Sequence, residues 1–124
     1  MNKMINAPSM FRLAKNISKH SEHTKHKLGA VLVANGHPVS VGCNKVRTHP
    51  AALFTGLHAE IQALRSSGKE RIKGSSIFVY RERKNGSPAI SRPCAHCMEE
   101  LKKFGVRWIY YSTNDFPFWE VEKI

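Results

Sequence analysis

No stretch of this sequence is apolar over the roughly 18 residues that a membrane-crossing helix needs. A membrane span is therefore not expected. Cysteine is scarce, with three in 124 residues. So small and odd a number does not make a disulfide framework. The start, "MNKMINAPSMFRLAKNIS", is basic and lacks a continuous apolar core, so it does not read as a signal peptide. A cytoplasmic location is expected, where cysteines more often bind metal or do chemistry than pair with each other. No repeat, low-complexity tract or interdomain linker interrupts the chain. Residues 1–124 read as one domain, long enough to bury a core without a staple.

Acidic residues are also few: nine Asp and Glu against twenty Lys and Arg, for a formal net charge of +11 and a pI near 10.0. Such a surface attracts anions, whether nucleotide phosphates or nucleic acid. Charge alone does not separate a selected polynucleotide role from general attraction to polyanions.

What is present reads as alternating elements. Met10, Leu13, Ala14 and Ile17 have helical spacing, with Ser9 as N-cap after Pro8. The polar run "SKHSEHTKHK" reads as a solvated helix end and loop. In "LGAVLVANGHPVSVGCN", two strands flank Asn35-Gly36, a strong hairpin signal. Val39, Val41 and Cys43 alternate onto one core-facing side. A helix follows from His58, with Ile61 and Leu64 inward, and stops near Gly68. "SSIFVY" is a buried strand and "RERKNGSPAISRP" a polar connection, best read as a surface hairpin around Asn85-Gly86. A helix from Cys94 ends at Gly105. "VRWIYY" is a further strand, and "FPFWEVEKI" an apolar tail that covers the core or forms a subunit interface. The last strand–helix–strand unit implies a parallel crossover. The whole implies an α/β fold, a three-layer α/β/α sandwich with a mixed central sheet.

Chemistry concentrates at two helix starts. In "PCAHC", Cys94 and Cys97 stand three apart, on one face of a first turn whose dipole favours thiolate. A lone C-x-x-C is redox-active, half a zinc site, or two small buried residues. There is no second C-x-x-C and no following H-x₃₋₅-H, so a finger-type site is not complete. His58 also opens a helix. If the two helix starts meet at one sheet edge, His58, Cys94 and Cys97 would give three metal ligands and an open fourth position, the mark of a catalytic zinc. Glu60 could then close the site as a fourth ligand, move protons beside it, or simply favour the helix dipole.

"HAE" followed by "PCAHC" resembles the H-x-E…P-C-x-x-C signature of the zinc-dependent cytidine and deoxycytidylate deaminase superfamily. The order of elements agrees over roughly residues 9 to 112. The resemblance implies a cytidine deaminase-like fold, Zn²⁺ held by His58, Cys94 and Cys97, and a zinc-bound hydroxide attacking C4 with Glu60 as proton shuttle. It places the Ala59 backbone near the substrate's carbonyl or ring nitrogen, Asn44 at a substrate contact, and Gly29-Ala30 along the base pocket. It also implies a homo-oligomer. Free-cytidine deaminases usually carry cysteine where this chain has His58. That difference points toward deoxycytidylate, tRNA-adenosine or polynucleotide deaminases.

Lys45, Arg47 and His49 would bind a 5′-phosphate if their loop rims the pocket. At most one of Tyr110 and Tyr111 faces the site, because neighbours on a strand alternate. Tyr111 is the candidate. The leading expectation is deamination of a cytosine mononucleotide, dCMP to dUMP. The alternatives are a deaminase of cytosine or adenine in single-stranded DNA or RNA, and a non-catalytic zinc-stabilised nucleic-acid-binding module.

Overall fold

A computed structural model of the chain describes residues 6–21, 27–44, 59–67 and 72–124. These form three helices and one mixed sheet of six strands. Helix α1 spans Ala7–Ser18. Its N-cap is Asn6, not Ser9: the Asn6 side chain accepts the Ser9 N–H at 3.1 Å. Pro8 lies inside the first turn, where its missing N–H has no partner to lose.

Strands β1 (Lys27–Ala34) and β2 (His37–Cys43) form an antiparallel hairpin. Asn35 and Gly36 make its two-residue turn, both at positive φ (54° and 79°), as the sequence predicts. The one-sided alternation of β2 fails. Leu32 pairs with Ser40 and Val33 with Pro38, so Val39 is skipped in a bulge. Val39 then packs toward one core, Cys43 is buried, and Val41 stands 38% exposed. A bulge shifts the period-2 pattern by one residue.

Helix α2 covers Ala59–Ser66 and strand β3 Ser76–Glu82. A turn at Asn85-Gly86 leads to the short strand β4, Pro88–Ala89, which pairs with the end of β3. Helix α3 runs Ala95–Phe104. It ends on Gly105 at φ 91°, where the Val106 and Gly105 N–H groups take the Leu101 and Lys102 carbonyls. Strand β5, Trp108–Ser112, lies parallel to β3.

The terminal stretch is more than a covering tail. Trp119–Lys123 form β6, antiparallel to β5 at the sheet edge. Trp119 packs beside Phe11 and Tyr110, while Phe116 is 87% exposed. The sheet order is β2-β1-β3-β5-β6.

Helix α1 packs on one face, over Val31, Val33, Phe78 and Tyr80. Helices α2 and α3 pack on the other, over Ala30, Leu32, Ile77, Val79, Ile109 and Tyr111. Each fully buried large side chain, such as Phe78 or Leu32, contributes about 1.5–3 kcal/mol from removal of apolar surface. The three-layer sandwich expected from the pattern is what forms.

Strand directions fix where the site lies. β2 runs the same way as β3, since each is antiparallel to β1. The carboxyl ends of β2, β3 and β5 therefore share one edge. Helix α2 meets that edge over Gly42, where an added Cβ would sit 2.5 Å from the Ala59 carbonyl oxygen. Only glycine admits so close an approach. The crossover from β3 to β5 brings the start of α3 to the same edge.

Candidate active site

Glu60 occupies the second position of α2 and is 4% exposed. Its neighbours explain how it is held there. Ala59 and Ala63 are small and buried against the sheet, which lets the helix lie low. The Gln62 side-chain oxygen accepts the Cys43 N–H at 2.6 Å, tying α2 to the end of β2. Ser40 Oγ donates to the Ala63 carbonyl at 2.7 Å. Sequence reading passed over both contacts, because their partners lie 19 and 23 positions away.

Cys94 is the N-cap of α3, extended at φ −68° and ψ 167°, and its side chain makes no capping bond. It is exposed, whereas Cys97, one turn on, is fully buried. The Glu60 carboxyl and the Cys97 thiol lie close enough to influence each other's ionisation, as do the two thiols. The structure thus brings Glu60, Cys94 and Cys97 near one another across the two helix starts.

The electrostatics of this group follow from its burial. Desolvation raises the Glu60 pKa above its ordinary value, against the opposing pull of a backbone hydrogen bond and of Cys97. Burial likewise raises the Cys97 thiol, and the nearby Glu60 and Cys94 groups raise it further. Two buried acidic groups, Glu60 and Cys97, therefore meet beside the exposed Cys94 thiol. A cation there would reverse each of those penalties, and two thiols one helix turn apart are half a zinc donor set. The donor chemistry fits zinc. Among the described residues, no three His, Cys, Asp or Glu side chains make a metal site by themselves. His58, the expected third ligand, lies outside the described residues, as do Lys45, Arg47 and His49.

The remaining expected residues divide. Ala30 is fully buried on the α2 face, in the same apolar cluster as Ala59. Gly29 faces the other way, and an added Cβ would meet the backbone of Ala14 in α1. Asn44 sits at the right edge, but its side-chain oxygen is engaged by the fold. It accepts the Leu28 N–H at 2.9 Å and the Ser21 hydroxyl. Tyr111 lies on the α2–α3 face, and its hydroxyl donates toward Glu120 and Glu122 at 2.9 and 2.7 Å. Tyr110 faces the opposite layer, stacked on Phe78 with ring centroids 4.2 Å apart.

Residues 4–113 match the family described as the cytidine and deoxycytidylate deaminase zinc-binding region. This chain belongs to that family. It is accordingly a zinc-dependent hydrolytic deaminase of the nucleoside and nucleotide class. No curated protein matches it.

Solved structures agree with the deaminase fold. The apo dCMP deaminase of the cyanophage S-TIM5 is 27% identical, with a TM-score of 0.66 over 86% of this chain and 82% of that one. The same phage enzyme in complex with dCMP and dUMP aligns at a TM-score of 0.65, with 23% identity over 90% and 85% of the two chains. A cytidine deaminase from Burkholderia pseudomallei reaches a TM-score of 0.70 over 97% and 93%, at 20% identity, and supports the fold alone. No described helix of this deaminase is long and apolar enough to cross a membrane.

Proposed function

We propose that this deaminase converts a cytosine mononucleotide, dCMP to dUMP, with His58, Cys94 and Cys97 holding zinc and Glu60 moving protons. The observation that carries the mechanism is the buried Glu60 carboxyl set beside the buried Cys97 thiol. A carboxyl at that point reaches the metal's neighbourhood without any need to be a ligand.

Zinc, when bound, supplies Lewis acidity that brings the pKa of water toward neutrality. The chain supplies the rest. Hydrolytic loss of ammonia needs both protons of the attacking water to be taken up in turn, one delivered to the ring nitrogen and one to the departing amine. Glu60 serves in both directions at its carboxylate oxygens, as base and then as acid. Ala30, Ala59 and Val79 belong to the buried apolar cluster on the same face of the sheet, and dry surroundings of that kind limit competing water.

For the substrate, support comes from the 27% identity to the phage dCMP deaminase and from His58 in place of cysteine. Lys45, Arg47 and His49 are assigned to the 5′-phosphate. A second reading, deamination of cytosine or adenine within single-stranded DNA or RNA, is favoured by one observation, the +11 charge. Ammonia release measured side by side on dCMP, CMP, deoxycytidine, adenosine and short oligonucleotides decides between them. Turnover of dCMP well above all others is expected. Conversion of oligonucleotide without conversion of dCMP overturns the first reading.

A further inference from the structure

Strand β3 changes partners part-way along. Ser76 to Val79 pair with β5, whereas Arg81 and Glu82 pair with β4. At this fork the sheet opens, and main-chain groups lose their ladder partners. Two serine hydroxyls fill the gap. Ser112 Oγ accepts the Arg81 N–H at 3.1 Å and donates to the Ala89 carbonyl at 2.6 Å. Ser91 Oγ accepts the Ser112 N–H at 2.9 Å and donates to the Val79 carbonyl at 2.8 Å. The two hydroxyls lie 2.8 Å apart, and the Ser91 N–H donates to the Ser112 carbonyl at 3.0 Å.

Ser91 and Ser112 are 4% and 1% exposed. Buried backbone groups in a dry fork must be paired, and here the two hydroxyls pair four of them. Two hydroxyl protons serve three oxygen–oxygen contacts, so the pair acts as one shared unit. The chain leaving this unit passes through Arg92 and Pro93 directly into Cys94. Arg92 is itself bound to Glu122 of β6, at 2.6 and 3.1 Å.

We infer that Ser91 and Ser112 are positioning residues for the metal site, their hydroxyl pair fixing the segment from which Cys94 and Cys97 are presented. The inference rests on the zinc ligands assigned under the proposed function. A purely structural pair would lower stability and leave zinc release alone. A positioning pair loosens the metal beyond what its effect on stability accounts for, because outer groups that orient ligands govern metal retention.

The test compares Ser112→Ala and Ser91→Ala with Val33→Ala. Val33 is 1% exposed and pairs with Ser76, at the end of β3 away from the fork. Zinc transfer to an excess of chromogenic chelator is timed for each holoprotein, and melting is measured on each zinc-free protein. Zinc release about tenfold faster is expected for both serine variants, while Val33→Ala stays within about twofold of wild type despite a comparable drop in melting temperature. Serine variants that release zinc no faster than Val33→Ala overturn the inference. Should Ser112→Ala fail to fold, Ser91→Ala carries the same comparison. A wild-type protein without zinc overturns the ligand assignment and this inference together. Zinc-loaded wild type with indifferent serine variants overturns this inference alone.

Discussion

At the scale of single residues, Glu60 is a carboxyl group in a costly place. Burying it disfavours its charge, as the raised pKa records, and an apolar residue would pack there at lower cost. The proton transfer proposed for it would account for a carboxyl placed beside Cys97. Glu60→Gln keeps size and hydrogen bonding but cannot carry a proton through a cycle. That variant should hold zinc like wild type and lose turnover by about 10²- to 10⁴-fold, the range of a removed general acid–base. Metal analysis and ammonia release check the two halves, and near-normal turnover would count against the assignment. The placing of Glu60, Cys94 and Cys97 at two helix starts was legible from periodicity, while the roles proposed for them came from the resemblance of "HAE" and "PCAHC" to the family signature. Asn44 shows the limit of such reading. Its place at the edge was visible, but its bonds to Leu28 and Ser21 depend on chain segments 16 and 23 positions away.

At the scale of elements, the seat of α2 on the hairpin decides where Glu60 points. Gly42 is the contact: an added Cβ would lie 2.5 Å from the Ala59 oxygen and 2.7 Å from the Ala63 nitrogen. Both are backbone atoms and cannot swing aside. Gly42→Ala should therefore push α2 outward, costing about 1–3 kcal/mol as overpacking does. Activity should fall further than that loss of stability explains, since the first turn of α2 moves with the helix. Thermal melting and ammonia release on the same preparation check this, and full activity in the stable fraction would refute the seating argument. The hairpin, β3 and the Gly105 stop were legible because each is written locally. Strand β6 was not. Its glutamates at 120 and 122 look like solvated charges in a tail, yet they meet the Tyr111 hydroxyl, and Glu122 also binds Arg92. The bulge at Val39 was hidden for a similar reason: nothing in "HPVSVGC" says that the strand will skip a partner.

At the scale of the whole molecule, the charge excess cannot be neutralised internally. Among the described residues, ion pairs such as Lys15–Glu82 and Lys103–Glu100 form, but twenty basic against nine acidic residues leave a net +11. A field of that sign concentrates any polyanion at the surface, whether or not the site acts on it. The dCMP reading and the polynucleotide reading therefore both predict oligonucleotide binding, and binding alone does not separate them. Salt does. Single-stranded binding through phosphates should weaken with a log–log slope of about −0.7 per phosphate engaged. A mononucleotide brings one phosphate, so its dependence on salt should be shallow. For a dCMP deaminase, raising salt from about 50 to 200 mM should strip oligonucleotide from the surface and leave dCMP turnover at saturation nearly unchanged. Binding isotherms and initial rates over the same salt series check the two slopes. If the steep slope appeared instead in the deamination rate, with oligonucleotide as the substrate consumed, the basic surface would be part of the substrate site rather than a bystander to it.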